Sequence, residues 1–164
     1  MFKNSHQKKT EANSIFTPAD GKFVSLETVT DPIFSNKLVG EGFAVHPSNG
    51  KIVSPVSGVV THISNTNHVM TVRNSEDIDV LIHIGLETAS LKGDYFKALV
   101  TLGKSVKKGD ALLEFDLNYL NENAYSPLIL VILPNIKNKN YSLIWQDAVT
   151  LAAGETKIVS VVER

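Results

Sequence analysis

The chain has no cysteine among its 164 residues. That excludes a disulfide framework, a thiolate metal site and a cysteine nucleophile, and it fits a reducing compartment. Long hydrophobic runs are missing as well. The longest, Leu128–Leu133, is far shorter than the roughly 20 apolar residues that cross a bilayer as a helix. The polar start Met1–Lys9 lacks the apolar middle of a signal peptide, so a cytoplasmic protein is expected. Neither sign of charge dominates: 16 Lys and Arg stand against 17 Asp and Glu, a net of −1. Without a basic block beyond short lysine pairs there is no footprint for nucleic acid. No Walker loop occurs, which disfavours a kinase that takes its phosphate directly from ATP. No H-x-H or H-E-x-x-H pattern occurs either, so a zinc hydrolase has little support.

What is present is a β pattern. Residues 1–13 are polar, carry Lys3, Lys8 and Lys9, and read as a disordered tail with at most a peripheral membrane contact. Residues 14–164 then form a single domain of ordinary size. Short runs rich in Val, Ile, Thr and Phe alternate with Gly, Pro, Asn and Asp. Ile15–Gly21 is echoed by Ile52–Gly58 in its Ile, Ser/Thr, Pro and Gly positions, at a constant offset of 37 residues. Two copies predict pseudo-repeated hairpins rather than a solenoid. Pro32 suits the first turn of a short helix, and Asp116 suits the N-cap of another over Leu117–Ala124. The fold class expected is all-β: a sandwich or flattened barrel with one or two short helices.

The run Val80–Gly85 is the chemical centre. Along this strand Ile78, Val80, Ile82 and Ile84 share an aliphatic face, which must be core. His83 shares the other face with Asp79 and Leu81, and so points out of the core. Taking Asn74–Asp77 as a four-residue hairpin loop sets Arg73 opposite Ile78, Met70 opposite Leu81 and His68 opposite His83. Directly paired residues have Cβ atoms roughly 4.5–5.5 Å apart. Two imidazoles that close suit metal binding, general acid–base work or nucleophilic phosphoryl capture. Thr66, two residues before His68, is placed to orient that ring through its hydroxyl. Met70 and Leu81, on the same inferred face, would supply an apolar rim for a partner protein. His46 and His62 have no comparable partner.

These residues resemble a known family. Ile52–Gly58, Asn65–His68, Leu81–Gly85 with Glu87-Thr88, Leu91-Lys92-Gly93 and Glu114–Leu117 follow the order and spacing of the glucose-type IIA component of the bacterial phosphotransferase system. Val39–Gly42 resembles its glycine-flanked acidic motif. The resemblance implies an antiparallel β-sandwich with a shallow active-site depression. It implies that His83 takes the phosphoryl group through Nε2, that His68 stabilises it, and that Thr66 hydrogen-bonds His68. The implied donor is a small phosphocarrier protein, and the implied acceptor is a cysteine on the IIB domain of a sugar permease. No cofactor is required, although in some relatives the two histidines share a zinc ion at an intermolecular contact. Glu41 and Glu87 stand at acidic flanking positions that are often Asp in the family. Leu81 and Ile84 stand where some members carry aromatic residues. A second reading is a regulatory module whose phosphorylation state controls permeases or kinases.

Overall fold

The structure, a computed structural model, describes residues 13–88, 91 and 95–164. Its strands in chain order are β1 (Ser14–Phe16), β2 (Gly21–Ser25), β3 (Glu41–Pro47), β4 (Lys51–Val53), β5 (Gly58–Ile63), β6 (Val69–Arg73), β7 (Asp79–Leu86), β8 (Phe96–Ala98), β9 (Ser105–Val106), β10 (Ala111–Phe115), β11 (Ser126–Leu133), β12 (Tyr141–Trp145), β13 (Thr150–Leu151) and β14 (Lys157–Glu163). Two short helices, α1 (Pro32–Ser35) and α2 (Leu117–Asn123), start at Asp31 and Asp116. Each aspartate accepts a hydrogen bond from a first-turn amide, Ile33 N and Tyr119 N respectively. These caps satisfy amides that the helix itself leaves open.

All strand pairs are antiparallel. An eight-stranded sheet runs β13-β2-β3-β11-β7-β6-β5-β9, beside two three-stranded sheets, β1-β14-β12 and β4-β10-β8. The large sheet reads the same from both ends if β13, β2, β3 and β11 are matched to β9, β5, β6 and β7. The small sheets match in the same way. The repeat seen in the sequence is therefore the seam of a pseudo-twofold fold. Phe16 N donates to the Pro55 carbonyl and Val53 N to the Pro18 carbonyl, which is one bond repeated with the partners exchanged. The Thr17 hydroxyl donates to the Ala19 carbonyl as the Ser54 hydroxyl does to Val56. Near the axis Gly154 and Gly109 meet closely: a Cβ on Gly154, whose φ is +73°, would lie 2.9 Å from the Gly109 Cα.

One face of the large sheet packs the main core, with Phe43, Val45, Met70, Val72, Val80, Ile82, Ile84, Ile129 and Val131. The other face carries a smaller apolar cluster, Leu26, Val29, Ala44, Leu86, Leu130 and Ile132, under the β2–β3 connection. Val80, Ile82 and Ile84 are buried in the main core, while Asp79, Leu81 and His83 face the other way, as face-counting predicts.

Three expectations need correction. The loop between β6 and β7 takes five residues, not four: Asn74 N donates to the Ile78 carbonyl at 3.0 Å. The Asn74 side-chain oxygen holds the amides of Glu76 and Ile78, and Asp77 takes a left-handed φ of 59°. An asparagine competing for backbone amides in this way lengthens a turn. Arg73 thus pairs with Asp79, Met70 with Ile82 and Val69 with His83. Met70 is consequently in the main core at 2% exposure and forms no surface rim. Finally, Asn13, assigned to the tail, is buried and its carbonyl accepts from Val161 N. The rest of the tail, residues 1–12, lies outside the described residues, as do Lys92 and Gly93.

Candidate active site

The rings of His68 and His83 are 5.3 Å apart between centroids and nearly perpendicular, at 86°. They meet although the strand register is one residue off the expected one. His68 lies just outside β6, immediately after Asn67, whose φ is 63°. Strand alternation therefore does not govern its side chain, while its carbonyl still accepts from Ile84 N at 2.8 Å. Gly85, at φ +74°, bends β7 just after His83. A Cβ there would stand 2.5 Å from the Thr88 methyl, so a side chain is excluded from this bend.

Each ring is held by its Nδ1. The Gly85 carbonyl lies 2.8 Å from His83 Nδ1. A carbonyl only accepts, so Nδ1 carries the hydrogen and Nε2 keeps its lone pair. The Thr66 hydroxyl bonds His68 Nδ1, and the Ser64 hydroxyl is 3.3 Å from the same atom. Phe34 of α1 meets the His83 ring edge-on at 5.6 Å, and Phe96 of β8 lies 6.2 Å from the His68 ring. Burial pushes the His83 pKa below the usual imidazole value, and the neighbouring His68 adds to this. The Gly85 carbonyl and the Asp31 carboxylate pull the other way without prevailing. His68, only 8% exposed, is pushed down by burial as well. In both rings burial thus disfavours the charged form, a direction that suits a nitrogen nucleophile and a neutral N–H donor.

The structure brings together His68, His83 and Thr66. Leu81 shares the His83 face, half-buried against the smaller apolar cluster. Glu87 is exposed at the end of β7 with a φ of 56°. Glu41 is not in the site. It starts β3, pairs with Leu133 and sits on the Phe43 side of the sheet, where Lys37 bonds it at 3.3 Å. Under the pseudo-twofold Glu41 is the counterpart of His68, and Ile132 is the counterpart of His83, so the acidic motif marks the equivalent place in the other half. Sequence reading missed Phe34, Phe96, Ser64 and the Gly85 carbonyl. For Phe34 the Asp31-Pro32 helix start was a usable signal, because it fixes the turn that carries the ring. The other three depend on tertiary placement.

Residues 13–139 match the model of the phosphoenolpyruvate-dependent sugar phosphotransferase system EIIA 1 family. The chain belongs to that family. It is 36% identical to the PTS system glucose-specific EIIA component of Staphylococcus epidermidis over 164 residues, covering 98% of each chain. Against the component of the same description from Staphylococcus aureus strain MSSA476 the identity is 37%, with the same coverage. Among solved structures it is similar to glucose permease IIA from Mycoplasma capricolum, with a TM-score of 0.81, 28% identity and coverage of 90% of this chain and 94% of that one. The family carries phosphoryl groups in sugar uptake, which favours carriage over a purely regulatory module. Among the described residues no helix is long and apolar enough to cross a membrane.

Proposed function

We propose that this chain accepts a phosphoryl group on Nε2 of His83 from a phosphocarrier protein and passes it to the IIB domain of a sugar permease. The observation that carries this reading is the Gly85 carbonyl on Nδ1, which leaves Nε2 as the nitrogen with a free electron pair. In the accepting step the Nε2 pair forms a bond to phosphorus. The bond from phosphorus to the donor atom breaks, and its electrons leave with the donor. In the passing step a nucleophile of the IIB domain, a cysteine thiolate by family resemblance, attacks phosphorus and the N–P electrons return to Nε2. His68 serves as a donor: with its Nδ1 accepting from the Thr66 hydroxyl, its Nε2 hydrogen is available to a phosphoryl oxygen. Positioning and charge stabilisation of this kind are the main protein contribution to phosphoryl transfer.

Phe34 and Leu81 supply apolar surface beside His83, against which a partner excludes water during transfer. Glu87, exposed at the end of β7, would meet the partner's charged rim. By analogy with phosphoserine, the phosphoryl group brings roughly −1.5 to −2 charge to this surface and so switches its preference between donor and acceptor. The transfer needs no cofactor. Among the described residues no group of three or more metal-ligating side chains is assembled. A zinc ion shared with a partner would take His68 and His83 from this chain and its remaining ligands from the other. In this reading the chain works in the cytoplasm, on the inner side of the permease that it serves.

The test is incubation with the phosphorylated phosphocarrier. Wild type should gain one acid-labile, base-stable phosphate on His83. His83→Gln should gain none. His68→Gln should be labelled and then fail to pass the group to the IIB domain at a normal rate. Full labelling of the His83 variant would overturn the assignment.

A further inference from the structure

A cleft of about 560 Å³ opens at the opposite end of β6 from the histidines. Four residue steps separate Val69, opposite His83, from Arg73 at its wall, or roughly 13 Å along the strand. Two cations line the cleft, Arg73 and Lys108, and among the described residues no carboxylate does. Arg73 is already bound to Asp79 by two hydrogen bonds, at 2.7 and 3.1 Å. Lys108 pairs with no carboxylate among the described residues, and its ammonium lies 4.1 Å from the centre of the Phe16 ring. The hydroxyls of Ser57 and Ser105 line the same space, with Phe16, Val56 and Val59 as its apolar wall.

The pseudo-twofold gives this arrangement an internal reference. The counterpart of Ser57 is Asp20, and the counterpart of Lys108 is Ala153. In that half Ala153 N donates to an Asp20 carboxylate oxygen at 2.7 Å, and Asn49 donates to the other oxygen at 2.9 Å. In the cleft Lys108 N donates to the Ser57 hydroxyl at 3.0 Å. The same amide is used, but the carboxylate is gone and a lysine has replaced the alanine. One half of the fold thus supplies its own anion where the other half has a cation, hydroxyls and open space.

We propose that this cleft is a second binding site, taking a small phosphate monoester with a flat apolar body. The tetrahedral phosphate suits several hydroxyl donors around one ammonium. The body lies against Phe16, Val56 and Val59. The volume falls within the range of about 300–1,000 Å³ usual for small-molecule sites.

Phenyl phosphate is the probe, titrated into the full chain and followed by amide NMR, with inorganic phosphate and phenol as separate arms. Saturable shifts at Ser57, Gly58, Val59, Ser105 and Lys108 are expected with phenyl phosphate, and markedly weaker ones in both other arms. Lys108→Met should weaken binding about tenfold or more, the loss of one charge-assisted contact, while phosphoryl acceptance on His83 stays unchanged. Ser57→Asp, which places the counterpart's carboxylate in the cleft, should abolish binding in a chain whose spectrum stays folded. Absence of saturable shifts, shifts confined to the His68 and His83 region, an equal response to phenol or to inorganic phosphate, or unchanged affinity in Lys108→Met would each overturn the site.

Discussion

At the scale of single residues, hydrogen bonds at Nδ1 aim the two imidazoles and burial disfavours their charged forms. Burial lowers the pKa of both rings, with His68 adding to the effect on His83. The sign of the linked stability follows. Below the unfolded value, about 6.5, the unfolded chain binds protons that the native rings resist. The native state therefore loses stability as pH falls through that value, and the loss levels off below the lowered native values. Thermal unfolding between neutral pH and pH 5 should show a steeper decline for wild type than for the His68→Gln/His83→Gln double variant. Parallel declines would mean that neither ring is held neutral. For the same reason, phosphoryl acceptance should persist below the pH at which a free imidazole protonates.

At the scale of elements, face and register separate what the sequence made legible from what it did not. The aliphatic alternation of β7 was enough to turn His83 out of the core, because burying one whole face of a strand leaves no choice of orientation. The β6–β7 loop was not legible, because the Asn74 side chain adds a residue to the turn that composition alone does not reveal. The His68–His83 meeting was right for a reason other than strand pairing. It depends on the left-handed Asn67 and on the Thr66 and Ser64 hydroxyls, which act outside β6. Met70 carries the cost of the register error. As a core residue facing Ile82 it should lose roughly 2–5 kcal/mol of stability on change to alanine. Urea unfolding measures this directly. A rim residue would instead leave stability nearly unchanged and weaken partner binding.

At the scale of the whole molecule, the palindromic sheet order explains the sequence echo and puts Glu41 at the position that answers to His68 in the other half. The echo was visible because it sits in proline and glycine turns, where few residue types will do. The rest of the symmetry was hidden, since matched strands need only apolar alternation and not the same residues. Gly154 tests whether the seam matters to stability alone. A side chain there meets the Gly109 backbone and a left-handed φ, so Gly154→Ala should cost at least about 1–2 kcal/mol. The rate of labelling at His83 should not change. A changed rate with intact stability would tie the axis to chemistry instead.

The two halves differ most in one connection. Residues 64–68 join β5 to β6 tightly, while residues 26–40 make a longer excursion from β2 to β3 and carry α1. That excursion covers Ile132, the residue in the place that His83 holds in the other half, and it then extends Phe34 to the His83 ring. One half thus supplies a ring that packs against the histidine of the other. The division of labour makes the fold one-sided: the strand order of the two halves matches, and among the described residues the histidine pair stands in only one of them.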